Sequence, residues 1–224
     1  MTPDIEVVRH PLARRAKLAV DAASGRARLT LPPRALLRPA LAWAQGQGAW
    51  IAAQRARLPV ARPLADGAAI PVEDGVLTIA WTPDARRAPV EEGERLLVGG
   101  PVEAVPRRVE AWLRARALLR LSEDTAVYAA RAGVTVVRVA IADPRGRWGS
   151  CAASGAIRYS WRLICAPIAV RRQVAAHEVA HRVHMHHGPA FHALVAELYG
   201  MDPTPARAWL REHGAALHRI GMNG

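Results

Sequence analysis

Cysteine is scarce in this chain of 224 residues, with Cys151 and Cys165 the only two. Neither has a CxxC neighbour, so no disulfide framework and no zinc site of the usual cysteine spacing is implied. Both are expected as small buried apolar side chains. Lysine is scarcer still, one residue against 30 arginines. No stretch approaches 18 uninterrupted apolar residues, which disfavours a membrane-spanning helix. The opening Met1-Thr2-Pro3-Asp4-Ile5-Glu6 lacks a basic region leading into an apolar run, so no secretory signal is read. A cytoplasmic protein with no membrane partner is the expectation. Internal repeats and low-complexity linkers are missing as well.

What is present is ordinary for a globular protein: 51% hydrophobic and 22% charged residues, in a chain long enough for one sizeable core or two small ones. The formal charge of +12 permits affinity for polyanions, including nucleic acid. The arginines are nevertheless dispersed, with pairs such as Arg86-Arg87, Arg107-Arg108 and Arg171-Arg172 and no long basic run.

Apolar alternation over Ala16, Leu18, Val20 and over Ala27, Leu29, Leu31, broken by Asp21 to Gly25, predicts a β-hairpin. Arg34 to Leu58 reads as a helix despite Gly46 and Gly48, with Trp43 and Trp50 as packing residues. Ile70 to Val72 and Val76 to Trp81 flank Asp74-Gly75 as a second hairpin, and Arg95 to Val98 is a further strand. Val102 to Ala132 reads as one long or two abutting helices closed by Gly133. Strands are expected at Val134–Ile141 and Ala156–Ile164, a helix opening near Pro167, and helices over Phe191–Tyr199 and Thr204–Leu217. A boundary at Gly99-Gly100-Pro101 would divide a β-rich part with one helix, residues 1–100, from an α+β part, residues 101–224.

Eight of the nine histidines follow residue 176. In His177-Glu178-Val179-Ala180-His181, helix geometry sets the two histidines one turn apart on one face, so both rings can lean onto one ion. Glu178 points about a quarter-turn away, beside that ion without being a ligand. A catalytic zinc needs a third protein ligand, and His184, His186, His187 and His192 are the candidates. On an unbroken helix His184 lies roughly 10 Å along the axis from His177, too far for a shared ion. His187 is reachable if the chain turns back first, as Gly188-Pro189 suggests, and is preferred to His186 on spacing that does not decide alone.

The residues ahead of this helix carry more information. Arg147-Trp148-Gly149-Ser150-Cys151, then Ile157-Arg158-Tyr159-Ser160-Trp161-Arg162-Leu163, then Ala166-Pro167 lead into the histidine segment, and His187-Gly188-Pro189-Ala190-Phe191 follows it. In order and spacing the chain resembles the YgjP-type zinc metallopeptidases, zincins related to the SprT and Wss1 proteases. Arg14 to Ile51 also resembles that family's amino-terminal hairpin and Trp-Ile helix. The resemblance implies an α+β fold with a zincin-like catalytic domain behind a β-rich amino-terminal part. It also implies Zn2+ as cofactor, His177, His181 and His187 as its ligands, Glu178 as general base, and a protein or peptide substrate. Ser160, His186 and His192 depart from the family's usual Asn, Asn and Trp. The ten-residue offset of the third histidine also occurs in metzincins, which place Gly where His184 stands, and no metzincin is inferred.

The expected function is therefore zinc-dependent peptide hydrolysis. The alternative is a metal-stabilised binding module for protein or nucleic acid, which a fourth protein ligand such as His184 or His186 would favour. Arg147, Tyr159, Arg162, His184 and His186 are chemically able to stabilise a tetrahedral intermediate. Trp148 and Trp161 are expected to pack beneath the catalytic helix, and Gly149 to serve a turn or a close backbone approach.

Overall fold

A computed structural model describes residues 4–21 and 24–222. The fold is α+β, with ten strands and six α-helices among the described residues, and the chain forms two compact units, Met1–Val60 and Ala61–Gly224.

In the first unit, strands β1 (Ile5–Arg9), β2 (Lys17–Val20) and β3 (Ala27–Leu31) form a sheet in the order β1-β3-β2. The expected hairpin is present as β2 and β3, antiparallel with Leu18 opposite Leu29. Two residues of its turn, 22 and 23, lie outside the described residues. Strand β1, which the sequence reading did not contain, pairs parallel to β3. The alternation of β3 buries Ala27, Leu29 and Leu31 on one face, and Leu29 and Leu31 pack with Ala44 in a small core. The single helix expected over 34–58 is two helices, α1 (Leu37–Gln45) and α2 (Gly48–Ala56). Glycine costs about 1 kcal/mol relative to alanine inside a helix, and here two glycines flank one residue. At that residue, Gln47, ψ swings to 23° and its N–H bonds back only three residues, to the Ala44 carbonyl.

The second unit opens with a four-stranded sheet, β4 (Ala69–Val72), β5 (Gly75–Trp81), β6 (Val90–Glu92) and β7 (Arg95–Val98), in the order β4-β5-β7-β6. Only β6 was not expected. Leu96 and Val98 of β7 share a core with Val105 and Val109 of the following helix, so Gly99-Gly100-Pro101 is a joint inside this unit and parts no two cores. Helix α3 (Val105–Ala132) is unbroken over 28 residues and buries Val105, Val109, Leu113, Ala117 and Leu121 at four-residue spacing. Gly133 ends it in the left-handed conformation, φ 63°, which glycine adopts without penalty.

A three-stranded sheet follows in the order β8-β10-β9, from β8 (Arg138–Ala142), β9 (Gly149–Cys151) and β10 (Ala156–Ser160). The strand expected to reach Ile164 stops at Ser160, whose hydroxyl accepts the N–H of Arg162 and turns the chain into a buried 3-10 segment, Trp161–Cys165. Strand β8 begins four residues later than expected, and the three-residue β9 was not foreseen. Helices α4 (Ile168–Ala180), α5 (Pro189–Tyr199) and α6 (Thr204–His218) complete the fold. Among the described residues no helix is long and apolar enough to cross a membrane.

The β4–β5 turn fixes the start of α4. Asp74 Oδ1 accepts the N–H of Ile168 at 2.9 Å, a long-range cap on a helix whose own N-cap is Pro167. Next to it Glu73, at φ 56°, receives Arg171 of α4 at 2.6 Å and Arg116 of α3 at 3.0 Å. Asp124 of α3 takes the other side of Arg171 at 2.7 Å. Burial pushes the Glu73 carboxyl upward, but Arg171 and Arg116 outweigh it and hold the group below its ordinary value.

Candidate active site

Helix α4 carries His177 and Glu178 in its last turn and gives way to a tighter turn at His181. There the N–H of Arg182 bonds to Val179 O, and those of Val183 and His184 both bond to Ala180 O. The chain then reverses, and Gly188 leads into α5 with Pro189 at its first position. This is the break that a shared site with His187 requires. The ring nitrogens of His177, His181 and His187 all lie within 4.8 Å of one another, and those of His177 and His187 face each other at 3.2 Å. Ligand atoms about 2.0–2.1 Å from one tetrahedral ion stand roughly 3.3 Å apart, so the cluster fits an ion with only small closure.

The other histidines stay outside the cluster. His184 contributes its backbone: its carbonyl accepts from His181 Nδ1–H at 3.1 Å, which fixes the tautomer and leaves Nε2 able to ligate. His186 is exposed, and the ring of His192 lies 6.3 Å from that of His187. Phe191, the one phenylalanine in the chain, is fully buried with its centroid 4.9, 4.5 and 4.7 Å from the rings of His177, His181 and His187. It is the apolar wall against which all three imidazoles rest. Burial, then the neighbouring imidazoles and Arg207, push the proton affinity of His177 down to about 4, and burial lowers His181 in the same direction. Neutral rings are the form that binds a metal.

Glu178 is buried beside the cluster, and burial raises its pKa to about 7 against the opposing charge of Arg147. Its carboxylate lies on Gly149: a Cβ built there would stand 2.5 Å from Oε1 and 2.6 Å from Cγ. Gly149 therefore serves the close approach rather than a turn. A cleft of about 470 Å³ opens over these groups. One side is the segment from Arg147 through β9 to Cys151, the floor is Gln173, Val174, His177, Glu178 and His181, and Met185, His187 and Arg207 close the rest.

Of the five residues chemically able to stabilise a tetrahedral intermediate, Arg147 lines this cleft. Tyr159 is fully buried with its hydroxyl 2.9 Å from that of Thr125, and Arg162 is buried in a pair with Asp143 at 3.0 Å. Neither these two nor His184 and His186 line the cleft. Trp148 also borders it and stacks on His218 of α6, centroids 4.7 Å apart. Trp161 is fully buried, with the Arg162 guanidinium 4.4 Å from its ring. Sequence reasoning missed Gln173 and Arg207. Gln173 stands one turn before His177 on the same face, a spacing that could have been read, whereas nothing local points to Arg207.

The family model for the YgjP-like metallopeptidase domain matches residues 14–213. The chain belongs to the YgjP-like family. No curated protein and no solved structure gives a match. Membership makes this YgjP-like protein a metallopeptidase by family, with protein or peptide substrates, and the match begins at the hairpin and runs into α6.

Proposed function

We propose that this YgjP-like protein is a zinc-dependent peptidase of the HExxH type, with His177, His181 and His187 as ligands and Glu178 as general base. The observation that carries the reading is the convergence of three imidazole nitrogens within 4.8 Å at the floor of a cleft that also holds a buried carboxylate. Zinc bound there supplies Lewis acidity, lowering the pKa of water and polarising a peptide carbonyl. Glu178 accepts the proton released as the water oxygen bonds to the carbonyl carbon, and delivers it to the amine nitrogen as the C–N bond breaks. Arg147 offers positive charge at the cleft wall where the oxyanion develops.

Strand β9 supports a way to hold the substrate. It is an edge strand, paired on one side with β10, and all three of its residues line the cleft, so an extended peptide can add to its open side. A structural metal site would close with a fourth protein ligand, and among the described residues no fourth His, Cys, Asp or Glu joins the cluster. That favours catalysis over a metal-stabilised binding module. The purified protein should hold about one zinc per chain, and Glu178→Gln should keep the zinc and lose cleavage of a quenched fluorescent peptide library. Full proteolysis in that variant would remove the assigned base.

A further inference from the structure

The charge of the protein is unevenly divided. Residues 1–60 hold ten Lys and Arg against three Asp and Glu, a net of +7, whereas the remaining 164 residues carry +5. Among the described residues Arg28 pairs with Glu6 at 3.1 Å, and the other nine cations of the unit are exposed.

The same unit leaves two tryptophans only about half covered. Trp43 is 48% exposed and Trp50 40% exposed, so each packs with part of its surface and leaves the rest in water. Together with Leu18 of β2 and Gln47 at the joint of α1 and α2 they line a groove of about 250 Å³. The break at Gln47 sets the two indoles on successive short helices instead of one continuous face, which makes a slot with aromatic walls. Close to half of each indole stays in water, so an occupant that covers them gains apolar burial.

We propose that this amino-terminal unit binds single-stranded nucleic acid, with bases stacked against Trp43 and Trp50 and the phosphates drawn by the unit's exposed arginines. An aromatic slot alone fits many apolar partners; the net +7 of the unit that carries it selects a polyanion. Among polyanions, a single strand is the one that presents flat π-faces and one negative charge per nucleotide together, and stacking on exposed aromatics inside a basic surface is how such strands are held without sequence readout. A duplex keeps its bases stacked on each other and cannot fill the slot. Gln47 adds an amide within the groove for a base edge. The inference does not depend on the metal site, whose residues all lie in the other unit.

The test uses the full chain and a fluorescein-labelled oligothymidylate of about twenty nucleotides, followed by anisotropy between about 50 and 200 mM salt. The single strand should bind more tightly than the matching duplex. Trp43→Ala and Trp50→Ala should each weaken binding roughly five- to a hundred-fold, and Trp→Phe at either position should retain most of it. Lys17→Ala, Arg38→Ala and Arg57→Ala combined should reduce the slope of log K against log salt by roughly 2, while the single-strand preference persists. Circular dichroism and melting matched to the parent establish that the variants fold. Undiminished affinity in the folded Trp43→Ala/Trp50→Ala protein overturns the proposal, because charge alone would then account for binding. Equal affinity for the duplex, or binding only to an acidic peptide or to phosphatidylserine vesicles, overturns it too.

Discussion

Replacing Gly149 by alanine tests whether the position of Glu178 is set by the missing side chain opposite it. The new methyl carbon would stand 2.5 Å from Glu178 Oε1, 2.6 Å from Cγ and 2.7 Å from Cδ. Ordinary contact begins near 3.5 Å, so the carboxylate must retreat by about 1 Å. Gly149 does not have a positive φ, so alanine strains no backbone, and the whole effect falls on the neighbour. A base displaced by about 1 Å costs on the order of 100-fold in rate, which corresponds to about 2.7 kcal/mol in the barrier. The three atoms nearest the new methyl all belong to Glu178, so zinc content should be unchanged. The experiment measures kcat/KM on a quenched fluorescent peptide beside zinc stoichiometry and Tm. A loss of roughly 100-fold with zinc retained and overpacking limited to about 1–3 kcal/mol is expected. Undiminished kcat/KM would refute the argument that this contact positions Glu178, and loss of zinc in step with activity would place the damage in the ligand set instead.

Replacing any one of His177, His181 and His187 by alanine should abolish stoichiometric zinc, read by elemental analysis after gel filtration, whereas His184→Ala should retain it because His184 acts through its backbone carbonyl. Phe191→Ala removes the wall common to all three rings and should lower stability by about 3–5 kcal/mol in urea unfolding while weakening zinc affinity; a stable variant with parental affinity would discard the wall. Glu73 has a folded pKa held below its unfolded value, so its contribution to stability is present above the unfolded pKa of about 4.5 and is lost as pH falls through the lower folded pKa. Glu73→Gln should therefore be destabilised near neutrality and show a shallower loss of stability on acidification, measured as Tm against pH; parallel curves for both proteins would contradict this.

The parts of the fold legible in the sequence were those whose signal is local. The β2–β3 alternation, the four-residue stripe of α3 and Gly133 at its end each state their structure within a few residues. What escaped reading has more than one cause. Strand β1 exists because β3 lies beside it, and β9 has only three residues, too few for alternation to register. The division of α1 from α2 was written in Gly46 and Gly48, but helix-compatible spacing on either side outweighed it in the sequence reading.

The candidate site shows the same split, and explains why a histidine pattern alone underdetermines it. His177 and His181 follow from helix geometry, but His187 enters only because α4 stops at Ala180, and nothing in the spacing of the histidines dictates that stop. Where the helix stands is set from outside the motif. Asp74 caps the first turn of α4 and Glu73 and Asp124 grip Arg171, so the helix is held at a fixed axial position and its last turn delivers His177 beside Phe191. Phe191 in turn belongs to α5, whose start at Pro189 sends the chain back toward α4. The buried Arg171 pair is a costly way to fix a helix, since apolar residues of similar volume often stabilise as well or better. An arginine held from two sides sets one register, while an apolar contact tolerates sliding. The spacing of His177, Glu178 and His181 names the chemistry, and residues about a hundred positions upstream decide where in space it stands.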